Sequence, residues 1–127
     1  MSTFRRKFPI ACVAFAFISG AVVAKRMPPK PVAPVIANGI KYYAEGDGRD
    51  QYVVAADASS GKVVWKVKVF HNHIKSPMEE DVQWVFITNL KLVENALLVR
   101  DERSRCYSID LGRKHVKKQQ CGDVFAQ

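Results

Sequence analysis

Residues 55–67, Ala-Ala-Asp-Ala-Ser-Ser-Gly-Lys-Val-Val-Trp-Lys-Val, decide how this chain is read. The apolar run ending at Asp57 reads as a strand. Asp57 to Lys62 then supplies a turn: the aspartate can accept hydrogen bonds from backbone amides just ahead of it. Gly61 can take the left-handed conformation that closes a hairpin. The following stretch, Val63 to Phe70, alternates. Val63, Trp65, Val67 and Val69 are expected on one side and Val64, Lys66, Lys68 and Phe70 on the other, as in a half-buried antiparallel strand.

Working outward, the pattern persists. Ile40–Glu45 reads as an aromatic-rich strand, Gly46–Asp50 as a polar glycine-rich loop, and Gln51–Asp57 as the next strand. Ser76, Pro77 and Glu79 have the identities of a helix capping box, so one short helical turn is expected near Pro77. Val82–Thr88 is dense in β-branched and aromatic residues and reads as a buried strand, with a helix from Pro77 to Asn89 as the rival. Leu90–Glu94, Leu97–Asp101, Arg105–Leu111 and Lys114–Lys118 complete a series of short strands, with a turn at Asn95–Ala96. The fold class is therefore all-β: antiparallel strands and hairpins, resembling one to two propeller blades or a small sandwich or barrel.

The 127 residues bound the chain to one folded domain. Arg5, Arg6 and Lys7 precede an apolar run, Phe8 to Ala24, whose Val22 and Ala24 fit the −3 and −1 positions of a cleavage site before Lys25. Residues 1–24 thus read as a secretory signal, with an uncleaved anchor through residues 8–24 as the alternative. Residues 25–37 read as a linker, because four prolines between Lys25 and Val35 preclude a helix or central strand. Residues 38–118 form the β domain and 119–127 a polar, loose tail. Export to the periplasm or the extracellular space is the implied destination. Cleavage would leave 17 basic against 12 acidic residues, a net charge of +5. That excess suits contact with an anionic envelope surface; nucleic acid is not expected as the partner of an exported protein.

Cys12 would leave with the signal, and Cys106 and Cys121 would remain as an even pair in an oxidising compartment, able to close a loop. His71 and His73 sit at a spacing that can ligate Zn²⁺ or Cu²⁺. A third ligand is needed, from His115, Glu79, Glu80 or Asp81, and the plainer reading is two polar residues in a solvated loop. No nucleophile–base arrangement is visible in the sequence, so no catalytic residue and no cofactor is expected.

Ala56, Asp57, Gly61, Lys62 and Trp65 together resemble the repeat of PQQ-type β-propellers, in which an Ala-x-Asp strand end leads through Thr-Gly-Lys into a strand carrying tryptophan. Ser60 replaces the usual threonine. The resemblance implies structural roles: Asp57 and Gly61 shape the turn and Trp65 packs between blades. It does not carry the PQQ cofactor over, since that needs a complete propeller. A second, degenerate copy is expected downstream, with Asp110 in the place of Asp57, Ile109 of Ala56, Cys106–Tyr107 of Val53–Val54, Asn95 of Asn38 and Lys118 of Trp65. Two blades alone leave sticky strand edges. A protein partner or self-assembly is therefore expected, either as a ring of copies or as an accessory subunit completing a larger envelope complex through its sheet edges.

Overall fold

The computed structural model describes residues 29–125. The expected signal or anchor and the first linker residues lie outside the described residues. Among the described residues no helix is long and apolar enough to cross a membrane.

Eight strands form two four-stranded antiparallel sheets. Sheet 1 holds β1 (Val35–Ala37), β2 (Ile40–Gly46), β3 (Asp50–Asp57) and β4 (Val63–His71), in that order. Sheet 2 holds β5 (Ile87–Val93), β6 (Ala96–Asp101), β7 (Cys106–Asp110) and β8 (His115–Gln119), also in order. Each sheet is an up-and-down meander, and the two pack face to face as a small sandwich without closing into a barrel. The domain starts earlier than residue 38: Val35–Ala37 pairs with Tyr42–Ile40 as an edge strand.

Tyr42, Val53, Ala55 and Val69 of sheet 1 meet Ile87, Leu97, Val99, Tyr107 and Ile109 of sheet 2 in one core. Trp65, Val67 and Phe70 pack against it from β4. Fully burying one such aliphatic side chain stabilises the fold by about 1.5–3 kcal/mol.

Strict alternation along β4 fails at two bulges. Val63 pairs with Ala56 and Trp65 with Ala55, so Val64 is extra. Phe70 pairs with Gln51 and Lys68 with Tyr52, so Val69 is extra. A bulge places two residues opposite one and resets the facing of the residues beyond it. Val63 therefore leaves the Trp65 face and is half exposed, and Phe70 turns into the interface, where its ring stacks on Tyr107 at 5.3 Å. The aromatic pair joins the two sheets.

The connection between the sheets departs from expectation as well. Its one helical piece is a 3-10 turn at Asp81–Gln83, close to Pro77 but without a side-chain cap. Val82–Phe86 is not strand, and β5 starts at Ile87. Local tertiary bonds override the β propensity of this stretch. The Gln83 side chain exchanges hydrogen bonds with Lys75, at 2.7 and 2.8 Å, and also donates to the carbonyl of Glu79. The Asn72 amide donates to the carbonyls of Gln83 and Gly48. Trp84 lies on Gly48, whose φ of +91° and missing side chain both suit that approach. The Gly46–Asp50 loop is thus packed against this connection.

The two sheets are internal equivalents. The Asp57 carboxylate accepts from the amides of Ser59 and Ser60, each at 2.9 Å. The Asp110 carboxylate accepts from Gly112 and Arg113, at 2.9 and 3.1 Å. Ala58 donates to the Gly39 carbonyl as Leu111 does to that of Asn95. Asn38 and Glu94 share a positive φ, 50° and 54°. The downstream match of Asn95 is accordingly Gly39, and Glu94 matches Asn38. Lys114, at φ 59°, takes the place of Gly61, at φ 78°. By strand pairing, Lys117 opposite Ser108 stands where Trp65 stands opposite Ala55, one residue before the expected Lys118.

These matches fix how the sheets stack. Ala55 faces the core, while its equivalent Ser108 faces away; Ala56 faces away, while its equivalent Ile109 is in the core. Equivalent residues point in the same direction through the stack. The sheets are therefore layered front to back, and the two outer faces of the molecule differ.

Candidate functional site

Three groupings of polar side chains stand out. The first is buried. The Asp101 side chain is wholly inaccessible. It accepts hydrogen bonds from the Arg103 and Arg105 amides at 2.8 and 3.0 Å, from Arg105 Nε at 2.7 Å and from the Tyr107 hydroxyl at 3.1 Å. Burial and the adjacent Asp101 charge push the Tyr107 hydroxyl up to about 12. The Arg105 guanidinium also lies 5.5 Å from the Phe70 ring centre. Every partner of this carboxylate is a donor, as a buried charge requires. The group closes the β6–β7 hairpin and fastens it to sheet 1.

The second grouping contains the expected histidines. His71 ends β4, and its Nδ1 lies 2.6 Å from the Asp50 carboxylate, with Lys68 Nζ 3.4 Å from the same oxygen. The His71 hydrogen bond, chiefly, holds the Asp50 carboxyl below the usual carboxylate range. His73 is exposed beyond buried Asn72. Glu80 is engaged by Arg49 and by the indole N–H of Trp84, and His115 sits in the other sheet. Among the described residues, no three His, Cys, Asp or Glu side chains gather as a metal site.

The third is the outer face of sheet 1. Lys41, Tyr43 and Glu45 of β2 stand beside Tyr52, Val54 and Ala56 of β3 and Lys66 and Lys68 of β4. Lys66 lies 4.4 Å from the Tyr52 ring centre and 2.6 Å from Glu45. Lys41 lies 5.9 Å from the Tyr43 ring centre. A shallow groove runs past Lys41 and Tyr43 to the Asp57–Gly61 turn, walled by Val32 and Pro34. Tyrosine with lysine gives amphipathic, hydrogen-bonding area of the kind found at interfaces.

The residues expected to be structural take structural places. Asp57 and Gly61 form the turn after β3, and the backbone amide of Ser60, foremost, depresses the Asp57 carboxyl. Trp65 packs 6.0 Å from Tyr42 and contacts the core. Cys106 and Cys121 are disulfide-bonded, with their Cα atoms 5.1 Å apart. The bond lays the C-terminal segment over the outer face of sheet 2, where Lys91 Nζ donates to the Val124 carbonyl at 3.0 Å. The tail is tied down at two points. Sequence reasoning missed Asp101, which reads as one polar residue in a charged loop, and missed the Tyr43–Tyr52 face.

Compared with known proteins, the chain matches no family model, and no curated protein is similar to it.

Proposed function

We propose that this is an exported, non-catalytic binding protein built from two PQQ-propeller-like repeats. Its working part is sheet surface. The observation that carries the reading is the front-to-back stack, which leaves two unlike outer faces, one covered by the disulfide-held tail and one carrying Tyr43, Tyr52 and lysines. The repeated aspartate turn at Asp57 and Asp110 supports the blade-like reading of each sheet. The polar groupings are bonded inward, to backbone amides and to each other, as expected of parts that hold a surface in shape.

The test is the native mass of the full chain in the cell that makes it, after mild lysine-directed crosslinking. A defined complex larger than the chain is expected. A chain that remains at its own mass overturns the reading.

A further inference from the structure

Sheet 2 shows what the outer face of sheet 1 resembles. By register, Tyr43 stands where Val99 does, Val54 where Tyr107 does, and Ala56 where Ile109 does. In sheet 2 those three residues are core, and what covers them is a β-sheet. On sheet 1 the apolar floor is kept, since Val54 and Ala56 are 1% and 3% exposed. Around it stand Tyr43, Tyr52 and three lysines, Lys41, Lys66 and Lys68. We propose that this face docks the β-sheet of a different protein whose facing side chains include carboxylates. The proposal rests on the binding reading above and names its surface and partner chemistry.

Charge selects the partner. Glu45 pairs with Lys66 and Asp50 with Lys68. Lys41 has no carboxylate within 4.0 Å among the described residues. The face therefore carries an unmatched positive charge beside two tyrosines, and an acidic sheet complements it.

A second copy does not fit. The face that would continue the stack is the outer face of sheet 2, which carries Lys91, Arg100 and Lys117 and lies beneath the disulfide-held tail. Two sheet 1 faces set against each other oppose lysine with lysine. The sheet edges are guarded instead: β4 carries two bulges and two lysines, and β8 two lysines, devices that block strand addition.

The experiment places a photo-crosslinking phenylalanine analogue at Tyr52, in the full chain, in the producing cell, with the same analogue at Lys117 as the opposite-face comparison. Tyr52 is expected to capture one protein, through a strand bearing Asp or Glu at alternate positions. Combined Lys41→Glu and Lys66→Glu should cut that yield at least tenfold, while Lys117→Glu leaves it unchanged. Circular dichroism and the thermal midpoint establish that each variant is folded, and the milder Lys41→Gln with Lys68→Gln replaces the first pair if it is not. Capture of a second copy, of lipid, or of nothing at Tyr52 overturns the proposal, as does a yield indifferent to charge reversal. Capture at Lys117 alone removes this face but leaves the binding reading standing. Silence at both positions, with the chain at its own mass, removes both.

Discussion

Cutting the tie between Cys106 and Cys121 should cost a large share of the stability of so small a fold. The cysteines are 15 residues apart in sequence. In the chain-entropy treatment, freeing a 15-residue loop in the unfolded ensemble costs about 3 kcal/mol at 25 °C. Released from the bond, the tail also loses its hold at the Val124 carbonyl, a net hydrogen bond worth about 1 kcal/mol. Cys121→Ser should therefore destabilise by about 3–4 kcal/mol, out of the roughly 5–15 kcal/mol typical of a whole domain. The assay is equilibrium urea unfolding of the oxidised protein, the reduced protein and Cys121→Ser. With an m-value near 1.5 kcal/mol/M, the midpoint should fall by about 2 M, equally for reduction and substitution. The far-ultraviolet signature of the β-sheets should persist below the new midpoint, because the core cluster includes no residue of the tail. A loss under about 1 kcal/mol would refute the reasoning, since it would mean that the tail is held without the bond. Collapse of both sheets on reduction would refute it in the other direction.

Other outcomes rest on the same structure. Tyr107 has a folded-state value near 12, above its ordinary 10, so its neutral form is favoured by folding. That contribution is intact below pH 10 and is lost as pH rises towards 12, up to about 2–3 kcal/mol; alkaline unfolding should show this limb, and Tyr107→Phe should remove it. Leu97 is fully buried at the centre of the core, so Leu97→Ala should cost about 2–5 kcal/mol in denaturant unfolding. Gly48→Ala should be worse than Gly61→Ala, although both have positive φ: a Cβ at Gly48 would lie within 3 Å of Trp84, whereas at Gly61 it meets nothing within 4 Å. The two thermal midpoints decide it, and equal losses would refute the packing argument. Asp57 and Asp110 are both held below the usual carboxylate range, chiefly by the backbone amides of Ser60 and Arg113 respectively. Their stabilisation is present above about pH 4 and fades as pH falls through the lowered values, so Asp57→Asn should flatten the acid limb of a pH–stability curve.

Much of the fold is legible in local pattern. Ile40–Gly46, Asp50–Asp57 and Val63–His71 form where alternation and turn chemistry place them, because each strand pairs with its neighbour in sequence. The disulfide is readable as a possibility from cysteine count and compartment. What local pattern hides is set by distant residues. Val63 and Phe70 change sides because bulges are fixed by pairing with β3, not by β4 itself. Val82–Phe86 has strand composition but is held by the Gln83 side chain and by Gly48 beneath Trp84. The surface of Tyr43, Tyr52 and the lysines is in the sequence residue by residue, but its meaning depends on how one sheet lies on the other. Asp101 was illegible for the same reason, since its burial requires Tyr107 and Arg105 to converge on it.

The meander topology also sets an order of events during synthesis. Sheet 1 is complete once His71 has emerged, but the last strand of its covering partner ends at Gln119, 48 residues later. At translation rates of about 5–20 residues per second, that is an interval of roughly 2–10 s. A hairpin forms in microseconds, so sheet 1 has ample time to assemble alone. During that interval Tyr42, Val53, Ala55 and Trp65 lack the sheet that covers them in the finished protein. The nascent chain is thus most prone to misassociation late in its synthesis, after its first half has folded and before its second half can dock.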